Sequence, residues 1–344
     1  MPKPSTPAIV AAALACAWSA CAGATDHPVY GPRLQGFDYP HPVQTFAFDS
    51  QRQALQMAYL DVAPTGAPNG RTVVLLHGKN FCAATWDAAI AALAGAGWRV
   101  VAPDQVGFCK SDKPAHYQFS FAQLAANTHA LLASLDVERS VVVGHSMGGM
   151  LATRYALQYP DAVEQLVLVN PIGLEDWKAL GVPWRDAADW YAGELRTSFD
   201  SIRAYQLDVY YGGQWKPAYT RWVTMLAGMY AGPGGERVAW NQALASDMVF
   251  NQPVVHEFGD IAVPATLFIG QKDRTAIGRD RAPEGLKARL GDYPALGRRA
   301  AAAIPGATLV EFDDLGHSPQ VEAPERFNAA LLQALSTTPA GKAD

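Results

Sequence analysis

The sequence predicts an α/β protein: a mostly parallel, eight-stranded sheet with helices on both faces and a helical insertion between two of its strands. Short runs of branched apolar residues alternate with longer stretches of helical spacing, the pattern of strands buried on both faces by crossover helices. The alternation lapses from about residue 173 to 256 and then resumes. Six of the nine tryptophans fall in that lapse (Trp177, Trp184, Trp190, Trp215, Trp222 and Trp240), together with Tyr191, Tyr205, Tyr210, Tyr211, Tyr219 and Tyr230.

Each element can be placed in order. Thr45–Phe48 and Ala54–Val62 read as two antiparallel strands, Thr72–Leu76 as a buried parallel strand and Trp86–Ala96 as an Ala-rich helix. Arg99–Pro103 is another buried strand. Phe121–Leu135 has helical spacing through Phe121, Leu124, Leu131, Leu132 and Leu135. A strand at Ser140–Val143, a helix at Met147–Gln158 and a strand at Gln165–Val169 follow. After the insertion come a strand at Ala265–Ile269, a helix near Tyr293–Ala303, a strand at Thr308–Phe312 and a helix from Pro324 to Leu335. The expected division is therefore a core of residues 25–172 and 257–336, a helical cap of residues 173–256, and a frayed tail of residues 337–344. No internal repeat is present.

Composition narrows the function. A chain of 344 residues with 49% hydrophobic and 17% charged side chains has enough apolar surface for a packed core. The formal net charge is -5 and there is no long basic block, which argues against nucleic acid as a partner. Lys3, an apolar run from Ala8 to about Ala20 and the sequence Ala22-Gly23-Ala24 read as a signal peptide of residues 1–24, cut after Ala24. The run is too short for a comfortable membrane span, so a periplasmic or secreted protein is expected. A lipoprotein acylated at Cys16 or Cys21 ranks second, and an uncleaved anchor is a further alternative. Residues 25–45, rich in Pro, Gly and His, read as an irregular arm laid over the surface.

The chemistry centres on Gly144-His145-Ser146-Met147-Gly148, a G-x-S-x-G sequence between a strand and a helix. A sharp strand-to-helix turn holds such a serine in strained backbone geometry, and small residues two positions to either side relieve the crowding. Ser146 is the expected nucleophile. Its hydroxyl needs a base, and His317 follows the last strand in a loop with Gly316 beside it. The base needs an acid, and Asp273 directly follows the strand Ala265–Ile269. Gly78, after the strand Thr72–Leu76, permits a tight turn that aims the next amide into the site. The backbone N–H groups of Lys79 and Met147 are the expected oxyanion donors. His77 is read as structural, bonding loop backbone. No metal and no organic cofactor are implied; Gly232-Pro233-Gly234-Gly235 follows no buried strand and reads as a loop.

With Leu75-Leu76-His77-Gly78 and Trp86 downstream, Asp104-Gln105-Val106-Gly107 with Ser111, Gly144 to Gly149, Gly270-Gln271-Lys272-Asp273 and the run Gly316 to Phe327, the sequence resembles the capped α/β-hydrolase superfamily over about residues 43 to 336. That group holds carboxylesterases, C–C bond hydrolases, haloperoxidase-like esterases and epoxide hydrolases. The order Ser, Asp, His is the one this fold uses. The resemblance implies a serine hydrolase acting through an acyl-enzyme, with the insertion as a cap over the triad. Some cap aromatics then line a pocket for a small apolar or aromatic ester, and others form the cap's own core. Serine rather than aspartate at the elbow points to acyl transfer. Ester hydrolysis comes first, C–C hydrolysis of a diketone-like substrate second, and amide or thioester hydrolysis third; a ligand-binding derivative without turnover is the alternative of another class. Relatives often carry Gly where this chain has Cys109. The resemblance also makes the strands before Cys82 and Cys109 neighbours, so a disulfide between these two residues is expected in an oxidising compartment.

Overall fold

Val73, Val74, Leu75 and Leu76 are completely buried, as a central strand covered on both faces requires. In the computed structural model, which describes residues 1–2 and 27–337, this run is β3 (Thr72–Leu76) of a single sheet. The other strands are β1 (Val43–Ser50), β2 (Gln53–Val62), β4 (Arg99–Pro103), β5 (Ser140–His145), β6 (Val163–Val169), β7 (Ala265–Gly270) and β8 (Thr308–Phe312). Their order is β1-β2-β4-β3-β5-β6-β7-β8. β2 runs antiparallel to β1 and β4, and every other pairing is parallel. The expected eight-stranded, mostly parallel sheet is the observed one. The differences lie at strand ends, as where β5 continues two residues further to His145 and so delivers Ser146 directly.

Helices α1 (Asp87–Gly95), α2 (Phe121–Ser134) and α3 (Met147–Gln158) alternate with β3 to β6. After β6 come α4 (Ala187–Glu194), α5 (Phe199–Tyr205), α6 (Thr220–Tyr230) and α7 (Gly235–Asn251), with a π-helical turn at Gln206–Tyr210. A short α8 (Glu284–Lys287), then α9 (Tyr293–Ala303), α10 (Pro319–Glu322) and α11 (Pro324–Thr337) complete the chain. The first and third of these four, α8 and α10, are single turns that carry too few apolar positions to register as periodicity. Two apolar layers sandwich the sheet: one joins Val73, Leu75, Val141, Val143 and Val167 to α1 and α11. The other joins Val74, Leu76, Val142 and Leu168 to α2, α3 and the helices after β6.

The expected arm of residues 25–45, in its described part from His27, is more than a surface strap. Tyr30, Leu34 and Phe37 are buried in the second apolar layer, and the Tyr30 N–H donates to Gly228 O of α6 at 2.9 Å. Scattered aromatics in a Pro/Gly-rich stretch form no periodic pattern from which burial can be read. The proposed leader, with Cys16, Cys21 and Ala24, and residues 338–344 of the tail lie outside the described residues.

Among the described residues, no helix is long and apolar enough to cross a membrane.

Candidate active site

Ser146 sits where β5 turns into α3, with φ 56° and ψ -121°, a conformation costly for any residue but glycine. Two glycines make the turn possible. A Cβ on Gly144 would lie 2.1 Å from Gly148 O, and one on Gly148 would lie 2.3 Å from Leu76 O and 2.6 Å from His77 O. The latter contact seats α3 against the end of β3. Gly148→Ala is therefore expected to destabilise the protein by about 1–3 kcal/mol despite alanine's better helix propensity, because backbone cannot retreat as a side chain can. Urea unfolding would read this, and an unchanged midpoint would mean that the turn opens readily.

His317 and Asp273 are both completely buried, and His317 Nδ1 lies 2.6 Å from Asp273 Oδ2. Asp273 also accepts from Asn170 Nδ2 (3.0 Å), Thr275 N (2.8 Å) and Thr275 Oγ1 (2.7 Å). The carboxylate is thus held by donors on both oxygens, and the tautomer that carries the imidazole proton on Nδ1 is the one it favours. The other nitrogen, His317 Nε2, is buried and makes no hydrogen bond among the described residues. His317 is tied to the elbow through its backbone: His145, next to Ser146, places Nε2 2.8 Å from His317 O. Burial holds the His145 pKa well below the ordinary histidine value, so its neutral ring donates from Nε2.

The loop after β3 closes the other side. A Cβ on Gly78 would lie 2.9 Å from Ser146 Cβ and 3.1 Å from His145 Nδ1. Gly78 has an ordinary φ, so close approach to the elbow, rather than a glycine-only turn, is what excludes a side chain there. His77 fixes the loop through backbone contacts, with Nδ1 2.8 Å from Gly78 O and Nε2 accepting from Gln105 N at 3.1 Å. Lys79 follows directly, and Met147 opens α3, where the first N–H groups have no intrahelical acceptor.

Several participants had no signature in the sequence. Thr275 and Asn170 hold Asp273. Glu322 accepts from Gly316 N (3.0 Å to Oε2) and Ser318 N (3.0 Å), the residues on either side of His317. Tyr210 stacks on the His317 ring at 4.2 Å, and its carbonyl accepts from His317 N at 2.9 Å. From the other side the helices after β6 grip the Gly78 loop: Lys79 Nζ lies 2.8 Å from Glu194 Oε1, and Asn80 Nδ2 donates to Tyr210 Oη at 2.9 Å. Asp280 pairs with Arg185 instead of His317.

Glu322 has a pH signature. Burial pushes its carboxyl up from 4.5 to about 7, against the pull of the two N–H groups, and Asp273 adds to the rise. The folded protein therefore binds this proton more tightly than the unfolded chain. The resulting stabilisation is complete below about pH 4.5 and is lost as pH rises through about 7. Glu322→Gln should flatten the fall in stability between those limits. Urea unfolding at intervals across that range tests it, and an unaltered slope would assign the effect to another group.

Ser146 opens into a cavity of about 660 Å³. Trp190, Tyr205, Tyr210 and Tyr230 line it, whereas Trp177, Trp222, Tyr211 and Tyr219 are packed into the core. This sorts part of the aromatic set that the sequence left undivided, and Tyr210 serves both wall and core. A larger groove, about 910 Å³ along Gly232–Trp240, contains none of the expected site residues.

The expected disulfide between Cys82 and Cys109 is not formed; both are buried free thiols. The fold does bring them together as neighbouring thiols that interact with each other, and each also reaches a further acceptor, Cys82 Sγ to Met225 Sδ (3.2 Å) and Cys109 Sγ to Phe81 O (3.2 Å). Cys109 has φ 43°, which explains a preference for Gly at this position. The two sulfurs and an Asp104 oxygen lie within 4.8 Å of one another, a possible metal-ligand set. The Asp104 carboxylate is already engaged by Tyr39 Oη, Ala83 N and Lys110 N, so it is not free to turn towards an ion.

Comparison with known proteins identifies the fold. The family model for the alpha/beta hydrolase fold matches residues 71–221. A solved structure of a probable hydrolytic enzyme from Pseudomonas aeruginosa PAO1 is 65% identical, with a TM-score of 0.90, over 91% of this chain and all of that one. An esterase from Exiguobacterium antarcticum superposes with a TM-score of 0.66 over 83% of this chain and 97% of its own, and at 17% identity that likeness speaks for the fold alone. An AB hydrolase superfamily protein from Bacillus subtilis is 36% identical over 112 residues, 32% of this chain and 39% of its own length. Across the curated relatives matched, the chain spans 31% to 42% of their lengths.

Proposed function

Because the chain belongs to the α/β-hydrolase family and is a hydrolase, we propose that it cleaves a carboxylic ester of a small, partly apolar molecule through an acyl-enzyme on Ser146. The observation that carries this reading is the convergence of the strained Ser146 turn, the His317–Asp273 pair and the Gly78–Lys79 loop at one end of an open cavity. Ser146 Oγ attacks the ester carbonyl while His317 Nε2 takes its proton. The N–H groups of Lys79 and Met147 receive the oxyanion. His317 then protonates the departing alkoxide, leaving an acyl group on Ser146, and the same nitrogen draws a proton from the water that releases the acid. Asp273 orients the imidazole and stabilises its charged form. The residues of this site supply attack, proton transfer and charge stabilisation from protein groups alone.

Support for a small-molecule substrate comes from the size of the cavity and its aromatic lining. The Lys3-to-Ala24 segment supports export to the periplasm or beyond. A fluorophosphonate probe should label the protein at Ser146, and a panel of p-nitrophenyl esters, amides and diketones should be hydrolysed with esters preferred. No labelling would favour a binder without turnover, and faster cleavage of diketones would move the chemistry to C–C bonds.

A further inference from the structure

The cavity above Ser146 combines apolar walls at Ile202, Leu226 and Ile277 with a surplus of positive charge. Most of the cations there are matched. Lys79 is paired with Glu194, Arg185 with Asp280, and Lys287 with Glu284. Arg274 and Arg279 are not; among the described residues neither forms an ion pair with a carboxylate. Arg274 Nη1 donates only to main-chain carbonyls, those of Asp273 (2.8 Å) and Gln271 (3.4 Å). Arg279 Nη2 donates to Leu290 O, and Arg279 Nε is buried with no acceptor among the described residues. Glu175 lies near enough for Arg279 to act on its charge, but its Oε1 already accepts from Gly291 N (2.9 Å) and Trp177 Nε1 (3.1 Å).

An orphaned guanidinium donor in a protein of net negative charge costs stability that a bound anion restores. We propose that the substrate carries a carboxylate at the end remote from the scissile ester, received by Arg274 and Arg279, with its apolar middle along Ile202, Leu226 and Ile277. This rests on the ester-hydrolase reading of the same site and specifies the substrate class: half-esters of dicarboxylic acids and comparable anionic esters, in preference to neutral ones of equal length.

The test compares the p-nitrophenyl monoester of adipic acid with p-nitrophenyl hexanoate, which differ only in a terminal carboxylate against a methyl group. The wild-type protein should favour the adipate ester in kcat/KM by about tenfold or more, chiefly through KM. Arg279→Met and the more exposed Arg274→Gln should each shrink that ratio, and the second keeps the test alive should the first fold poorly. Calorimetry with Ser146→Ala protein, titrated with monomethyl adipate and with methyl hexanoate, reads the anion preference without turnover. A ratio near one in both measurements overturns the proposal while leaving ester hydrolysis intact. Preferential adipate binding without cleavage of either ester would sustain the anion site and refute the hydrolytic reading.

Discussion

Replacing Ser146 by alanine is expected to lower kcat by about 10⁴-fold or more, the scale on which a triad loses its nucleophile. Alanine inherits the same backbone at φ 56°, so the folded state should hardly change. Glycine in its place should remove both the hydroxyl and the strain, and Ser146→Gly is expected to be more stable than wild type by about 1 kcal/mol. Activity lost in both variants, with stability unchanged in one and raised in the other, separates the chemical role of the side chain from the cost of its conformation. Hydrolysis persisting in rigorously purified Ser146→Ala protein would remove Ser146 from the mechanism.

Asp273→Asn is expected to cost about 10³–10⁴-fold in kcat with a small change in KM. Four donors converge on the two carboxylate oxygens, two from Thr275 on Oδ1 and one each from Asn170 and His317 on Oδ2. An asparagine must present NH₂ to one of these pairs. Facing Thr275, it opposes a backbone N–H that cannot turn away. Facing Oδ2's partners, it forces the His317 proton from Nδ1 to Nε2, so the nitrogen that should accept from Ser146 arrives already protonated. The low-field imidazole N–H resonance should be lost or displaced in the variant. Turnover within tenfold of wild type would mean that another acid orients His317.

The elbow was legible because its signal is local: two glycines at fixed offsets, a branched strand before them and a helix after. Asp273 and His317 were legible from their position after β7 and β8. What escaped were partnerships between distant segments. Asn170 directly follows β6, and nothing in its sequence neighbourhood says that its amide spans to Asp273. Glu322 stands four residues after Ser318, ahead of the helix expected from Pro324, and nothing in the sequence marks it as the acceptor for the backbone on either side of His317. Tyr210 looked like one more aromatic in an aromatic-rich insertion. The cysteines mark the boundary between the two kinds of knowledge. Their nearness followed from the strand order that the resemblance implied, but whether two neighbouring thiols are bonded to each other is not written in the chain, and here they also reach Met225 Sδ and Phe81 O.

The carbonyl of Tyr210 has a consequence for how this lineage can diversify. The residue lies in the π-helical turn of the insertion, yet it anchors the main chain of the base, and a Cβ on Gly316 would meet that carbonyl at 1.8 Å. The segment over the pocket is therefore not an exchangeable module. A graft that brings a new ceiling must also bring a backbone acceptor to the same point or leave His317 without its tether. Natural variation in substrate range is accordingly expected to enter by point substitution at wall positions such as Ile202 and Leu226, with the turn from Gln206 to Tyr210 kept in place as a hinge pin between selectivity and reactivity.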